Sequence, residues 1–237
     1  MTTMPFPPRD YVPVLAELTG AFAEALRTAD PAAAVPDCAG WTVTDLATHL
    51  GNVHRWAATV VRTGEVHPQD FAVGAGADLV SWYAEGARLL LGELEAADPA
   101  DPCWHFGGTG RTKAFWFRRQ VHETAVHLAD TGSGYVLDPA VAADGVDEVF
   151  TAMLPRVTRW HAVPELPGPV TLRATDTGDV WTVHPGEPPA LGPAVSGAAS
   201  VEAPARDLLL RLWKRTGPGP RATGEAAEAL LAARLTP

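Results

Sequence analysis

Four consecutive stretches of the chain, all before residue 135, space their apolar residues three and four positions apart. This spacing puts the apolar side chains on one face of an α-helix, so each stretch is predicted to be an amphipathic helix. The predicted helices run from Asp10 to the Asp30-Pro31 break, from Thr42 to Thr63, from Asp78 to Ala97 and from Thr112 to Gly132. Because short to medium connections join them, we expect a four-helix bundle.

The start of the second helix carries the clearest local signals. Thr42 has a side chain suited to cap a helix N-terminus, and Asp45 three residues later completes a capping box. Trp41, just before the cap, is placed to pack against Leu46 as a hydrophobic staple. These signals predict a helix that begins at Val43 and carries one apolar stripe, formed by Val43, Leu46, Leu50, Val53, Ala57 and Val60.

The residues after the fourth helix have a different pattern. Asp138-Pro139 can open one more helix towards Trp160, and proline and glycine become dense from Pro164 onward. The alternating stretches that begin at Val170 and Val180 flank turn-forming residues and predict a β-hairpin.

Two further helices are predicted over residues 203–215 and 224–235. The expected fold is therefore α+β, with a four-helix bundle over residues 1–150 and a small α+β domain over residues 151–237.

Charge and composition exclude several classes of partner. The chain has 18 basic and 28 acidic residues and a formal net charge of −10, which disfavours binding to nucleic acid or to an anionic membrane. Its apolar stretches are shorter than the ~20 residues that a membrane span needs. Cys38 and Cys103 are too few for a disulfide framework, and the first residues resemble no secretory leader, so we expect a cytoplasmic protein.

Three histidines follow an acidic residue at a distance of four positions, the spacing that puts both side chains on one helix face. With 8 histidines and 28 acidic residues, about one such pair arises by chance. The pair Asp45/His49 includes the capping box, and the pair Asp101/His105 lies in a loop. Glu123/His127 lies in mid-helix, where a metal-ligand pair and a solvated polar face are equally consistent with the spacing.

A third ligand has to come from another part of the chain. On the second helix, His49 and His54 each lie roughly 70° from the centre of the apolar stripe, on opposite sides. Periodicity therefore leaves both histidines as candidates.

Three segments of the sequence resemble the mycothiol-dependent maleylpyruvate isomerase family, which belongs to the wider group of DinB-like metal-binding bundles. The first is VPDCAGWTVTDLATHLG, residues 35–51, followed by His54-Arg55-Trp56. The second is RRQVHETAVHLAD, residues 118–130, and the third is ARDLLLRLWKR, residues 205–215. Together they span nearly the whole chain.

The resemblance implies a divalent ion, most often zinc, held by His49, Glu123 and His127. Three protein ligands leave a coordination position open, as catalytic zinc requires. In the family this position accepts the sulfur of mycothiol or a similar small thiol, and coordination favours the nucleophilic thiolate. The thiolate adds to the activated double bond of maleylpyruvate, rotation follows, and elimination of the thiol gives the trans isomer.

The resemblance also assigns roles outside the three ligands. Arg215 matches the family's C-terminal arginine, which is expected to bind an anionic group of the substrate or cofactor. Lys214 departs from the pattern, because a small residue such as glycine is common there. Trp116 shares the helix face of Glu123 and His127, so its position, and not the resemblance, places it on the metal side, and it is assigned with Arg215 to cofactor binding. His49 and Arg215 are the expected catalytic residues.

The predicted function is a metal-dependent and thiol-dependent isomerase or S-transferase that acts on a small molecule, as a monomer or homodimer. Two alternatives remain open at this point. The same metal would generate hydroxide in a thiol-independent hydrolase, or the bundle would be a metal-binding module without catalysis. Cys38 is expected to be a small buried residue. Arg118 and Arg119 either offset the negative charge of the protein near an anionic ligand or, as is more common for such a pair, form part of a solvated helix face.

Overall fold

A computed structural model describes residues 5–69, 78–107 and 110–237. The chain forms two compact units, which we describe separately. The N-terminal unit contains the described residues of Thr3–His105 and Gly110–Val136, and the C-terminal unit contains Leu137–Pro237 with Phe106 and Gly107. Among the described residues, no helix has both the length and the apolar character needed to cross a lipid bilayer.

The N-terminal unit contains the four helices that the sequence predicts. Their bounds are Tyr11–Thr28 for α1, Val43–Thr63 for α2, Leu79–Ala96 for α3 and Ala114–Asp130 for α4. The buried apolar side chains that they share include Leu15, Phe22, Leu46, Leu50, Tyr83, Leu90, Phe117 and Leu128. Burial of these side chains is the main stabilising term of the bundle.

Helix α2 begins and ends as its sequence predicts. The Thr42 hydroxyl accepts a hydrogen bond from the Asp45 backbone N–H, and the Asp45 side chain accepts one from the Thr42 backbone N–H, which completes the capping box. At the other end Gly64 adopts a left-handed conformation with φ of 76°. Glycine takes up this conformation without steric cost, so the helix stops there.

Helices α2 and α3 approach closely at two glycines. A Cβ atom on Gly51 would overlap the Trp82 ring, and one on Gly86 would overlap the Arg55 guanidinium. Arg55 also lies 4.0 Å above the centre of the Trp82 ring. This packing fixes the position of α2 in the bundle.

Helix α4 is buried on nearly all sides. Besides its apolar residues it buries the polar side chains of Arg118, Arg119, Gln120, His122 and Thr124. The expectation that Arg119 lies on a solvated face is therefore wrong. Buried polar groups need partners, and Arg119 finds one in Glu123, which also faces His127.

The C-terminal unit contains a five-stranded mixed sheet. Its strands are Val170–Ala174 for β1, Val180–His184 for β2, Ala190–Gly192 for β3, Ala199–Ala203 for β4 and Arg221–Thr223 for β5. They lie in the order β3-β2-β1-β4-β5, with β1 and β4 parallel and the other neighbours antiparallel. The predicted hairpin is confirmed as β1 and β2, with Val170 opposite Val183.

Four helices complete this unit. They are Pro139–Glu148 for α5, Leu154–Val157 for α6, Ala205–Leu212 for α7 and Glu225–Ala232 for α8, and a π-helical turn over Val149–Met153 joins α5 to α6. Because α5 packs against α7, the C-terminal unit begins at Leu137, earlier in the chain than the boundary predicted after residue 150. The observed class is α+β, as predicted.

Candidate metal centre

Helices α2 and α4 bring together three side chains with metal-binding atoms. His49 Nε2 lies 3.5 Å from Glu123 Oε1, and His127 Nε2 lies 3.5 Å from the same oxygen. One donor atom from each of the three residues lies within 4.8 Å of the other two. Glu123 and His127 are neighbours because four residues span about one helical turn.

The distances fit a common cation. Zinc binds nitrogen and oxygen ligands at about 2.0–2.2 Å, so tetrahedral geometry separates two ligand atoms by roughly 3.4 Å. The two separations of 3.5 Å are close to this value and longer than ordinary nitrogen–oxygen hydrogen bonds. Two imidazoles and one carboxylate are also a ligand set typical of catalytic zinc. The residues present therefore fit a divalent ion.

Glu123 is held by a buried cation as well as by the histidines. The Arg119 guanidinium pairs with Glu123 Oε2 one helical turn away, and the Arg119 side chain is only 3% exposed. This contact leaves Oε1 facing His49 and His127. Burial raises the pKa of the Glu123 carboxyl, but Arg119 and the two facing imidazoles outweigh it and hold that pKa well below its usual range.

His127 has polar partners on both ring nitrogens. Its Nδ1 lies 2.9 Å from Asp130 Oδ2, and its Nε2 faces Glu123. Burial lowers the pKa of His127, but the hydrogen bond to Asp130 and the nearby Cys38 and Glu123 side chains raise it well above its usual range. A cation that binds Nε2 has to displace a proton from it.

His54, the other candidate on α2, lies away from this cluster. The Thr124 hydroxyl donates to the Gln120 carbonyl at 2.7 Å, so it can only accept from His54 Nε2 at 3.1 Å. Burial lowers the pKa of His54 to about 3, which keeps the ring neutral. The structure thus brings His49, and not His54, to Glu123 and His127.

The two remaining acid/histidine pairs have other partners. Asp45 belongs to the capping box of α2. Asp101 forms a 2.9 Å ion pair with Lys113, while His105 Nε2 lies 3.2 Å from the Gly110 carbonyl oxygen. Within the described residues, His49 is the one member of these two pairs that belongs to a group of three possible ligands.

Two residues that the sequence did not assign to the site border it. The Trp41 ring lies 4.9 Å from the His49 ring and 6.4 Å from the His127 ring, measured between centroids. Cys38 Sγ lies 3.4 Å from Asp130 Oδ2. Trp41 and Cys38 thus join the segment before α2 to helix α4. No local pattern in the sequence predicts such a contact.

Both units match models of one protein family. Residues 13–132 match the mycothiol maleylpyruvate isomerase N-terminal domain, and residues 140–233 match the C-terminal domain of the same family. The chain belongs to the mycothiol maleylpyruvate isomerase family. The family is one of enzymes, and this assignment confirms the resemblance found in the three sequence segments.

Two solved structures share the fold of this family member. One is mycothiol-dependent maleylpyruvate isomerase, and the other is a histidine-to-alanine mutant of mycothiol-dependent maleylpyruvate isomerase. Each superposes with a TM-score of 0.67 at 13% identity, over 94% of this chain and 95% of the other. No protein of curated function is significantly similar in sequence.

Trp116, which the sequence assigns to cofactor binding, is fully buried in this family member. Its indole N–H donates to the Trp104 carbonyl oxygen at 2.9 Å, and its ring lies 5.1 Å from the Trp56 ring. It thus belongs to an aromatic cluster in the N-terminal unit. Because the Trp116 side chain has no exposed surface, it cannot contact a ligand directly in this conformation.

Arg215, for which the sequence resemblance predicts a role in binding an anionic group, follows helix α7 in the C-terminal unit. The Arg215 backbone N–H donates to the Leu210 carbonyl and the Lys214 N–H donates to the Arg211 carbonyl, which is the Schellman pattern of a helix end. Lys214 occupies the left-handed position, with φ of 62°. Lys214 therefore adopts the backbone conformation that a glycine favours. The hydrogen bonds that end helix α7 before Arg215 are both formed although this position is not a glycine.

We expect Lys214→Gly to be more stable than Lys214→Ala by about 1 kcal/mol in free energy of unfolding, measured by urea denaturation. Both variants lose the 2.5 Å hydrogen bond from Lys214 Nζ to the Leu231 carbonyl, so their difference reports the steric cost of a Cβ atom at positive φ less the extra backbone entropy that glycine loses on folding. Equal stability of the two variants would contradict the left-handed conformation.

Proposed function

We propose that this protein is a divalent-metal-dependent isomerase or S-transferase that uses mycothiol or a similar small thiol. The observation that carries the proposal is the convergence of His49, Glu123 and His127 from two helices around one small volume. Membership of the family supports the thiol cofactor and makes maleylpyruvate the first substrate to test. We expect the protein to act in the cytoplasm.

The metal would be held by His49 Nε2, Glu123 Oε1 and His127 Nε2, with zinc as the most suitable ion for these ligands. When bound, the ion favours the thiolate form of a thiol cofactor, which is the nucleophilic form. Cis–trans isomerisation by a thiol needs only its reversible addition to an activated double bond, with no net oxidation or reduction.

The residues of the chain supply orientation and access. Arg119 holds Oε2 of Glu123, so that Oε1 stays directed at the two histidines. The side chains of His49, Glu123 and His127 are 27%, 14% and 7% exposed, so the cluster is accessible mainly from the His49 side. The Trp41 ring, partly exposed and beside His49, borders this side and is placed to contact a small ligand.

The direct test is turnover of maleylpyruvate by zinc-loaded protein with and without mycothiol. We expect turnover only when zinc and the thiol are both present. Equal rates with and without thiol would contradict the thiol cofactor and would favour a thiol-independent metalloenzyme. If purified protein neither contains nor binds a divalent metal, the proposal fails at its first step.

A further inference from the structure

The face of His127 that points away from Glu123 has its own polar partners. His127 Nδ1 lies 2.9 Å from Asp130 Oδ2, and Cys38 Sγ lies 3.4 Å from the same oxygen. The Asp130 side chain has no exposed surface, and that of His127 is 7% exposed. A carboxylate buried this completely is shielded from water and has to interact with the groups around it.

The directions of these hydrogen bonds follow from the chemistry of the groups. An ionised carboxylate has no hydrogen to donate, so His127 Nδ1–H and Cys38 S–H both donate to Asp130 Oδ2. With Nδ1 carrying a hydrogen, Nε2 is the nitrogen left for a metal ion. That nitrogen faces Glu123, on the side of the cluster where His49 also lies.

Cys38 is held in place by its own backbone. Its N–H donates to the Val35 carbonyl at 3.1 Å, and its carbonyl accepts from the Trp41 N–H at 2.9 Å. The Val35 N–H in turn donates to the Trp41 carbonyl at 2.9 Å. This closed turn fixes the thiol relative to the start of α2, so the thiol restricts the position of Asp130 Oδ2.

We propose that Asp130 and Cys38 are positioning residues for His127. Asp130 fixes the orientation and hydrogen position of the imidazole. Cys38, which also lies beside the imidazole, acts chiefly through Asp130 by holding its carboxylate. The inference rests on the proposed function, because it assumes that His127 binds the metal through Nε2. In this arrangement Asp130 and Cys38 support a ligand of the proposed metal site and are not ligands of it themselves.

Zinc affinity, measured by competition with a chromophoric chelator, tests this arrangement. Partners of this kind typically contribute 10–100-fold to metal affinity, so we expect Asp130→Asn to raise the Kd for zinc by 10–100-fold. Because a thiol is a weak donor, Cys38→Ala should raise the Kd by less than about 10-fold. Asp78→Asn is the matched control, since Asp78 caps α3 and asparagine caps a helix equally well.

A double variant distinguishes a chain of contacts from two independent effects. If Cys38 acts through Asp130, Cys38→Ala should have no further effect on zinc affinity when Asp130 is already asparagine. Full additivity of the two changes would overturn the role given to Cys38. Binding of two zinc ions by the wild type, with one lost in Cys38→Ala, would instead identify Cys38, Asp130 and His127 as ligands of a second ion.

The ring hydrogen of His127 provides a readout that does not need the metal. In the NMR spectrum of metal-free protein we expect a slowly exchanging Nδ1–H signal for His127, which Asp130→Ala removes while the fold is retained. Wild-type zinc affinity in Asp130→Asn would overturn this inference alone. Failure of the wild type to bind zinc would overturn the proposed function and with it the inference.

Discussion

His49→Ala is expected to lose zinc-dependent turnover and to bind zinc more than 100-fold more weakly than the wild type. Loss of a group that only supports a ligand typically costs 10–100-fold in metal affinity, and loss of a ligand itself should cost more. His49 is the only donor of the cluster supplied by α2, so its removal leaves two donors that lie one turn apart on α4. Chelator competition and metal-loaded turnover measure the two effects.

The matched control for this variant is His54→Ala, on the same helix. His54 is buried against Thr124, so its removal should lower the free energy of unfolding by leaving a cavity, while zinc affinity stays at the wild-type value. His67→Ala serves as a second control, because His67 lies near the exposed Thr63 hydroxyl after α2. Loss of zinc in His54→Ala with full binding in His49→Ala would exchange the roles of the two histidines.

Arg119→Met is expected to destabilise the metal-free protein by about 3–5 kcal/mol, measured by urea denaturation. Removing one member of a buried ion pair typically has this cost, because the other charge, here that of Glu123, loses its closest partner. The side chains of Arg119 and Glu123 are 3% and 14% exposed, so water screens the pair poorly. Added zinc should restore part of the loss, since a cation beside Glu123 replaces the missing positive charge.

Two further variants test this explanation. Arg119→Met combined with Glu123→Gln removes both charges and should recover much of the stability. Arg27→Met removes the same type of side chain from the exposed pair with Glu24, where the side chains are 56% and 66% exposed, and should cost less than about 1 kcal/mol. An Arg119→Met loss no larger than that of Arg27→Met would contradict a buried charge pair.

The bundle could be predicted from sequence because its signals are local. Apolar spacing indicates each helix, and the Thr42/Asp45 capping box marks the start of α2. The hairpin of β1 and β2 is similarly marked by alternation around a turn.

The short strands could not be predicted in the same way. Strands β3 and β5 have three residues each, too few to establish an alternating pattern. They are strands because β3 forms backbone hydrogen bonds with β2, and β5 forms them with β4. Such pairing depends on the rest of the sheet.

The site was predicted only in part from spacing. The spacing of four residues indicates that Glu123 and His127 share a helix face, but it does not distinguish a pair of metal ligands from a solvated surface. Periodicity on the second helix likewise does not distinguish His49 from His54 as the third ligand. Those distinctions depend on how α2 and α4 pack, and the resemblance to the family favoured His49. Asp130 and Cys38 come together only in the folded bundle, from positions 92 residues apart.

The proposed ligand set would also link metal binding to the stability of the N-terminal unit. Since one of the proposed ligands belongs to α2 and two belong to α4, the proposed site would bind metal tightly only while these helices are packed together, and the unfolded chain would offer no comparable site. Occupancy at 100 times the Kd then adds about 2.7 kcal/mol to native stability. In a cell starved of zinc, the protein would lose resistance to unfolding and proteolysis together with its chemistry, so metal supply would govern its abundance as well as its turnover.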